Sequence, residues 1–216
     1  YGRHDVIHAF RINQTPLILD GVCFFRIFIM NQALFIFDFD LTISQVHVHN
    51  KLATAIYTGK ISPDNLESQW QLIKDIPPTG STLQWNLLFS TLINQGHLVA
   101  IASFGAYPVM IQWYLEKKLE IKPADIEQIF INSWLPDYPA DADKNKHIEE
   151  VIAHFAFHGK PNQIILIDDS ETNCRAARQM GYQVIEALPG DRNARHLQWV
   201  WKLLEPNSEK RLNKVG

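Results

Sequence analysis

LFIFDFDLTIS, Leu34 to Ser44, is the stretch whose reading decides the fold. Four apolar residues run straight into two acids spaced two apart. A short continuous apolar run bounded by polar residues is the pattern of a strand buried on both faces. In extended backbone, residues i and i+2 project to the same side, so Asp38 and Asp40 share one side of the strand end. Like charges held that close are unfavourable unless a cation or a proton is shared. The pair therefore points to a bound metal or to a raised carboxyl pKa.

Similar runs recur along the chain at Leu98 to Ala102, Ile129 to Ile131 around Phe130, Ile164 to Ile167, and Val184 to Ile185. Helical periodicity fills the gaps. Leu83, Leu87, Leu88 and Leu92 read as one helical face, and Ile148, Val151, Ile152 and Phe155 as another. Met110, Trp113 and Tyr114 mark a further helix, as do Ala176, Ala177 and Met180, with Gly181 at its C-cap. A last helix is expected over Asn193 to Leu204. This alternation predicts an α/β domain whose parallel sheet is covered by helices on both faces.

The bulk composition narrows the class. With 216 residues, 46% of them hydrophobic and 20% charged, the chain reads as one globular domain over residues 30–205. Residues 1–29, ending just before Met30, read as an N-terminal extension, and residues 206–216 as a polar tail that frays. A net charge of -3 gives no electrostatic reason to expect nucleic-acid binding. Leu17 to Phe37 is interrupted by Asp20 and Arg26, so no integral membrane segment is expected. Cys23 and Cys174 have neither metal-ligand spacing nor the number for a disulfide framework, which suits a reducing, cytoplasmic compartment.

In an open parallel sheet, ligands bind outside the carboxyl ends of the strands, so the first polar residues after each run are the candidates. After Asp38 and Asp40 comes Ser103, closing LVAIAS. Lys144, in DADKNKHIEEVIAHF, stands at or just before a helix start, where a cation is electrostatically disfavoured unless something nearby needs it. NQIILIDDSETN then delivers Asp168 and Asp169. Hard oxygen donors without a cysteine or histidine cluster suit magnesium. His47 and His49 could be offered as zinc ligands but have no third partner in their spacing, and are expected to be exposed strand or loop residues.

Taken in order, D-x-D-x-T at Asp38, Asp40 and Thr42, then Ser103, Lys144, and Asp168-Asp169 with Asn173, resemble the four motifs of the haloacid dehalogenase (HAD) superfamily. The resemblance spans Ala33 to about Ile185. It implies a Rossmann-like three-layer sandwich with a mainly parallel five-stranded sheet, and a phosphatase working through an aspartyl-phosphate. By that likeness Asp38 is nucleophile and metal ligand, and Asp40 is acid/base and touches the metal through its backbone carbonyl. Thr42, Ser103 and Lys144 hold the phosphate, and Asp168 and Asp169 complete the magnesium site. Lys146 competes with Lys144 for the third motif. Lys144 is preferred because K-x-x-H-I looks like the corresponding segment of small magnesium-dependent phosphatases of the superfamily. An acid two residues after the nucleophile is the phosphatase form rather than the dehalogenase one.

Substrate size is argued from what the chain lacks. Ile43 to Ser81 leaves room for only one or two short helices, so the cap domain that closes over the site in many superfamily members is minimal or absent. An open crevice needs a bulky substrate to exclude water. The expected partner is a phosphorylated protein, with Tyr107, Trp134 and Tyr138 as aromatics able to flank a phosphotyrosine ring. The resemblance extends to phosphotyrosine phosphatases of this fold, including some that bacteria deliver into host cells. The alternatives are a small-metabolite phosphatase and a non-catalytic module that binds phosphorylated partners.

Overall fold

The computed structural model describes residues 32–134, 143–189 and 191–205, and in addition the backbone of strands at 16–19 and 22–25. Tyr138, the Cys23 side chain and the tail 206–216 lie outside the described residues. The chain divides into two compact units, Tyr1–Asn31 and Gln32–Gly216. In the first, β1 (Pro16–Leu19) pairs antiparallel with β2 (Val22–Phe25), with Leu19 opposite Val22.

The second unit is built on five parallel strands in the order β5-β4-β3-β6-β7. These are β3 (Leu34–Phe37), β4 (Leu98–Ser103), β5 (Ile129–Ser133), β6 (Ile164–Asp168) and β7 (Gln183–Glu186). Every apolar run singled out above is a strand. β3 lies between β4 and β6 with helices packed on both faces of the sheet, so its four residues are at most 2% exposed. Alternate residues enter different cores. Phe35 and Phe37 join the layer of Trp85, Phe89, Met110 and Leu197, while Leu34 and Ile36 join that of Ile148, Val151 and Ala177.

Those layers are formed by α3 (Thr82–Asn94), α4 (Pro108–Trp113) and α8 (Arg195–Leu204) on one face, and by α6 (Asn145–His154) and α7 (Glu171–Gln179) on the other. A π-helical turn, Tyr114–Lys118, continues α4, and the single turn α5 (Pro123–Ile126) precedes β5. The expected face of α3 needs correction. Leu88 and Leu92 are buried, but Leu83 and Leu87 are 74% and 55% exposed, and Trp85 and Phe89 take their place. The reason is aromatic packing: both rings meet Phe37 edge-on, at 5.7 and 5.2 Å between centroids.

Between β3 and α3 the chain makes two short helices, α1 (Val48–Tyr57) and α2 (Leu66–Ile73). They are held down on the domain. Val48, Leu52 and Ala55 of α1 are buried. Trp70 of α2 meets Trp113 edge-on at 6.3 Å, and the ammonium of Lys117 lies 3.6 Å from the Trp113 centroid. No helix among the described residues is long and apolar enough to cross a membrane.

Candidate active site

The chain order places β3 beside both β4 and β6, so their carboxyl ends meet at one crevice. Asp38 directly follows β3 and is anchored by its backbone N–H, which donates to the Ile167 carbonyl at 2.8 Å. Asp168 is the last residue of β6 and Ser103 the last of β4. Lys144 arrives from the opposite layer as the N-cap of α6. Its ammonium, 1% exposed, donates to Asp38 Oδ1 at 2.5 Å and to the Ala102 carbonyl at 2.9 Å, and lies 3.6 Å from Asp168 Oδ2.

The electrostatics follow from burying several carboxylates around one ammonium. Burial pushes the Asp38 carboxyl well up, with Lys144 opposing and the charges of Asp168 and Asp169 adding to the rise. Burial works to lower the Lys144 pKa, but Asp38 and Asp168 more than offset it and hold it above the usual lysine value. Asp169, partly buried beside Asp168, is raised to about 6. Asp168 is held in place: Asn173 Nδ2 donates to both its oxygens at 3.0 and 3.1 Å, and the Ser170 N–H donates to Oδ1 at 2.8 Å.

Asp40 is oriented differently. It stands beyond the strand end and accepts the N–H groups of Val48 and His49 at 2.9 and 3.1 Å, so it caps the first turn of α1 from a distance. Burial raises its pKa, and these two amides act against the rise. A carboxyl with a raised pKa is what a general acid requires. The chain turns sharply just after it, with Leu41 at φ 63°. That left-handed turn is braced by hydrogen bonds from Ile43 and Ser44 N–H to the Phe39 carbonyl, and from Thr79 Oγ1 to the Thr42 carbonyl at 2.6 Å.

The site residues read from sequence fall into place unequally. Asp38, Lys144 and Asp168 are in direct contact, while Asp40, Ser103 and Asp169 line the same crevice mouth or its charge field. Lys146 does not reach the carboxylates; its ammonium lies over the Trp134 ring, 4.9 Å from the centroid. Thr42 is completely buried, as Ser103 and Lys144 nearly are; its carbonyl accepts from Thr79, and among the described residues its own hydroxyl has no hydrogen-bond partner. His47 is half exposed as expected, with Nδ1 3.9 Å from Asp40 Oδ2. His49 is not a free loop residue: it sits in the first turn of α1 with its ring against Tyr107, 5.6 Å between centroids. Trp134 stacks on His147 at 4.0 Å, which leaves that face closed to a substrate ring.

Sequence reading missed the support beneath Lys144. Phe104 lies under its ammonium, 4.4 Å from the centroid, and His147 meets Phe104 edge-on at 4.9 Å. Burial, and then the Lys144 charge, lower the His147 pKa to about 4, so the ring is neutral and adds no competing charge.

Among the described residues no three His, Cys, Asp or Glu side chains form a ready-made metal cage. Magnesium does not need one, because it keeps several waters and is held by one or two carboxylates plus substrate phosphate. The donor set fits that ion: hard carboxylate oxygens of Asp38, Asp168 and Asp169, and an excess of buried negative charge over the single ammonium, expressed in the raised Asp38 and Asp169 pKa values.

No protein-family model and no curated protein matches this sequence. Solved structures do match it in three dimensions. The HAD domain of the effector protein Lem4 from Legionella pneumophila is similar with a TM-score of 0.52 at 17% identity, over 80% of this chain and 94% of that one. The N-terminal part of a Bacteroides fragilis protein, containing a phosphatase domain complexed with Mg, has the same score and identity over 80% of this chain and 40% of that one. A substrate-bound phosphoserine phosphatase has a TM-score of 0.50 at 16% identity, over 78% and 98%. The parallel five-stranded sheet, the position of the crevice and these likenesses agree: the fold of this chain is that of the haloacid dehalogenase-type phosphatases.

Proposed function

We propose that this chain is a magnesium-dependent phosphatase that hydrolyses phosphate monoesters through an aspartyl-phosphate on Asp38. The observation that carries the reading is the fully buried Lys144 ammonium, joined to Asp38 and Asp168 where neighbouring parallel strands end. A buried lysine amid carboxylates is a poor stability device, since desolvation consumes most of the Coulombic gain. It is a good device for a phosphoryl group, whose transfer depends on positioning and on neutralising the equatorial oxygens.

In the first step Asp38 attacks phosphorus, the P–O ester bond breaks, and the leaving oxygen takes the Asp40 proton. In the second, Asp40 takes a proton from water as that water attacks the phosphoaspartate, releasing phosphate and restoring Asp38. Ser103 and Lys144 hold the transferring group throughout. Asp38, the Asp40 carbonyl, Asp168 and Asp169 would hold magnesium, which would supply the charge neutralisation that lets an anion attack an anion.

The substrate reading is a phosphoprotein, with phosphotyrosine preferred. Its support is the small α1–α2 insertion packed down on the domain, which leaves the exclusion of water to the substrate, together with Tyr107 beside Asp40 and Ser103. A cytosolic setting, and delivery into a host cell, belong to the same reading, with the effector origin of one similar structure as support. The test is turnover of phosphotyrosine peptides, phosphoserine peptides and sugar phosphates with magnesium. Faster turnover of the sugar phosphates overturns the substrate preference, and unchanged activity in Asp38→Asn on an aryl phosphate overturns the mechanism.

A further inference from the structure

The ring nitrogen Nδ1 of His49 is buried and, among the described residues, has no hydrogen-bond partner. A buried polar atom left in that state is unfavourable unless a ligand completes it. Its surroundings identify where such a ligand would lie. Gly105 follows Ser103 by two residues, and a carbon placed where its side chain would begin sits 3.4 Å from Ser103 Oγ and 3.5 Å from His49 Nδ1. Glycine at 105 therefore keeps a seat beside these two polar groups clear of side-chain atoms. The crevice there is narrow and partly open, lined by Asp40, His49, Ser103, Gly105, Tyr107 and Ser133 among others.

The seat is rigid. His49 is fixed by its backbone N–H, which donates to Asp40 Oδ2 at 3.1 Å, and by its ring contact with Tyr107. The Ser133 hydroxyl donates to the Gly105 carbonyl. Gly105 is not among the residues with positive φ, so backbone conformation does not demand glycine here.

We propose that His49 is a substrate-binding residue: its Nδ1–H donates to a phosphoryl oxygen lying beside Ser103 Oγ, over the side of Gly105 that carries no side chain. The inference rests on the phosphohydrolase reading and extends the phosphate cradle beyond Ser103 and Lys144. It also accounts for a histidine so close to the acid Asp40, to which no zinc role falls.

The test uses Gly105→Ala, whose methyl meets its neighbours at ordinary contact distances and fills the seat without disturbing the fold. Binding of inorganic phosphate in the presence of magnesium is measured by calorimetry, together with kcat and KM on an aryl phosphate. Gly105→Ala and His49→Leu are each expected to weaken phosphate at least tenfold with melting temperature unchanged, while His49→Asn, whose amide nitrogen takes the place of Nδ1, recovers most of the loss. Unchanged phosphate affinity in folded Gly105→Ala and His49→Leu overturns the assignment of His49. A parent chain that neither binds phosphate nor turns over esters overturns the phosphatase reading itself, so the two failures are distinct.

Discussion

The Lys144 ammonium lies 2.5 Å from Asp38 Oδ1, although the two residues are 106 positions apart and both are almost fully buried. Removing either partner leaves the other charge uncompensated. Lys144→Met is expected to destabilise the fold by about 3 kcal/mol or more and to lower kcat/KM by at least about a hundredfold. Asp38→Asn is expected to abolish turnover while leaving the chain folded, because the amide still accepts the lysine hydrogen bond. Urea unfolding and steady-state kinetics on an aryl phosphate check both.

In the proposed mechanism Asp40, which caps α1, also supplies the proton. Asp40→Asn keeps an oxygen for the Val48 or His49 N–H but cannot donate an acidic proton. The expected loss is about 10²–10⁴-fold on alkyl phosphates and much smaller on p-nitrophenyl phosphate, whose leaving group needs no protonation. Equal losses on both would show that the capping role alone explains the variant.

Magnesium is expected to stabilise as well as activate. At a hundred times its Kd, a ligand bound only by the native state adds about 2.7 kcal/mol, read as a rise in melting temperature that EDTA reverses. Asp169, with its carboxyl raised to about 6 by burial and the Asp168 charge, gains from a nearby cation. Asp169→Asn should move the midpoint of the magnesium titration at least tenfold higher.

His196 of α8 is 2% exposed beside Trp85, and burial lowers its pKa from 6.5 to about 4. The native ring is neutral where the unfolded one takes up a proton. Its contribution is therefore complete above pH 6.5 and is lost as pH falls towards 4, by about 3 kcal/mol in all. His196→Phe should flatten this part of the stability–pH curve, seen as a smaller drop in unfolding free energy between pH 7.5 and pH 4.5 than in the parent.

The corrected face of α3 has opposite consequences at neighbouring positions. Phe89→Ala, which removes a buried ring stacked on Trp85 and edge-on to Phe37, should cost about 3–5 kcal/mol. Leu87→Lys, on the exposed side, should change stability by less than about 0.5 kcal/mol. Denaturant melts of the two variants decide the facing of the helix.

Much of this protein was legible locally. Each strand of the large sheet is an apolar run ended by a polar residue, a local property of the chain, whereas the expected side-by-side projection of Asp38 and Asp40 stops short because the strand ends at Phe37 and Asp40 lies in the turn beyond it, capping α1. The β1–β2 pairing also has a local signal, Asp20-Gly21 between two apolar runs, the dipeptide that favours tight hairpin turns. The leucine spacing on α3 misled because four leucines and two aromatic residues compete for one face, and volume against Phe37 decided in favour of the rings.

The sequence by itself determined the alternating α/β pattern, the acid pair and the set of polar residues at the strand ends, since these depend on periodicity and on neighbours within a few positions. Only the tertiary structure decided between Lys144 and Lys146, which sit two apart on the same segment, and only it put His49 beside Ser103. Those outcomes depend on which strands become neighbours and how helices lie across them, and such contacts between distant residues are settled by packing the whole core.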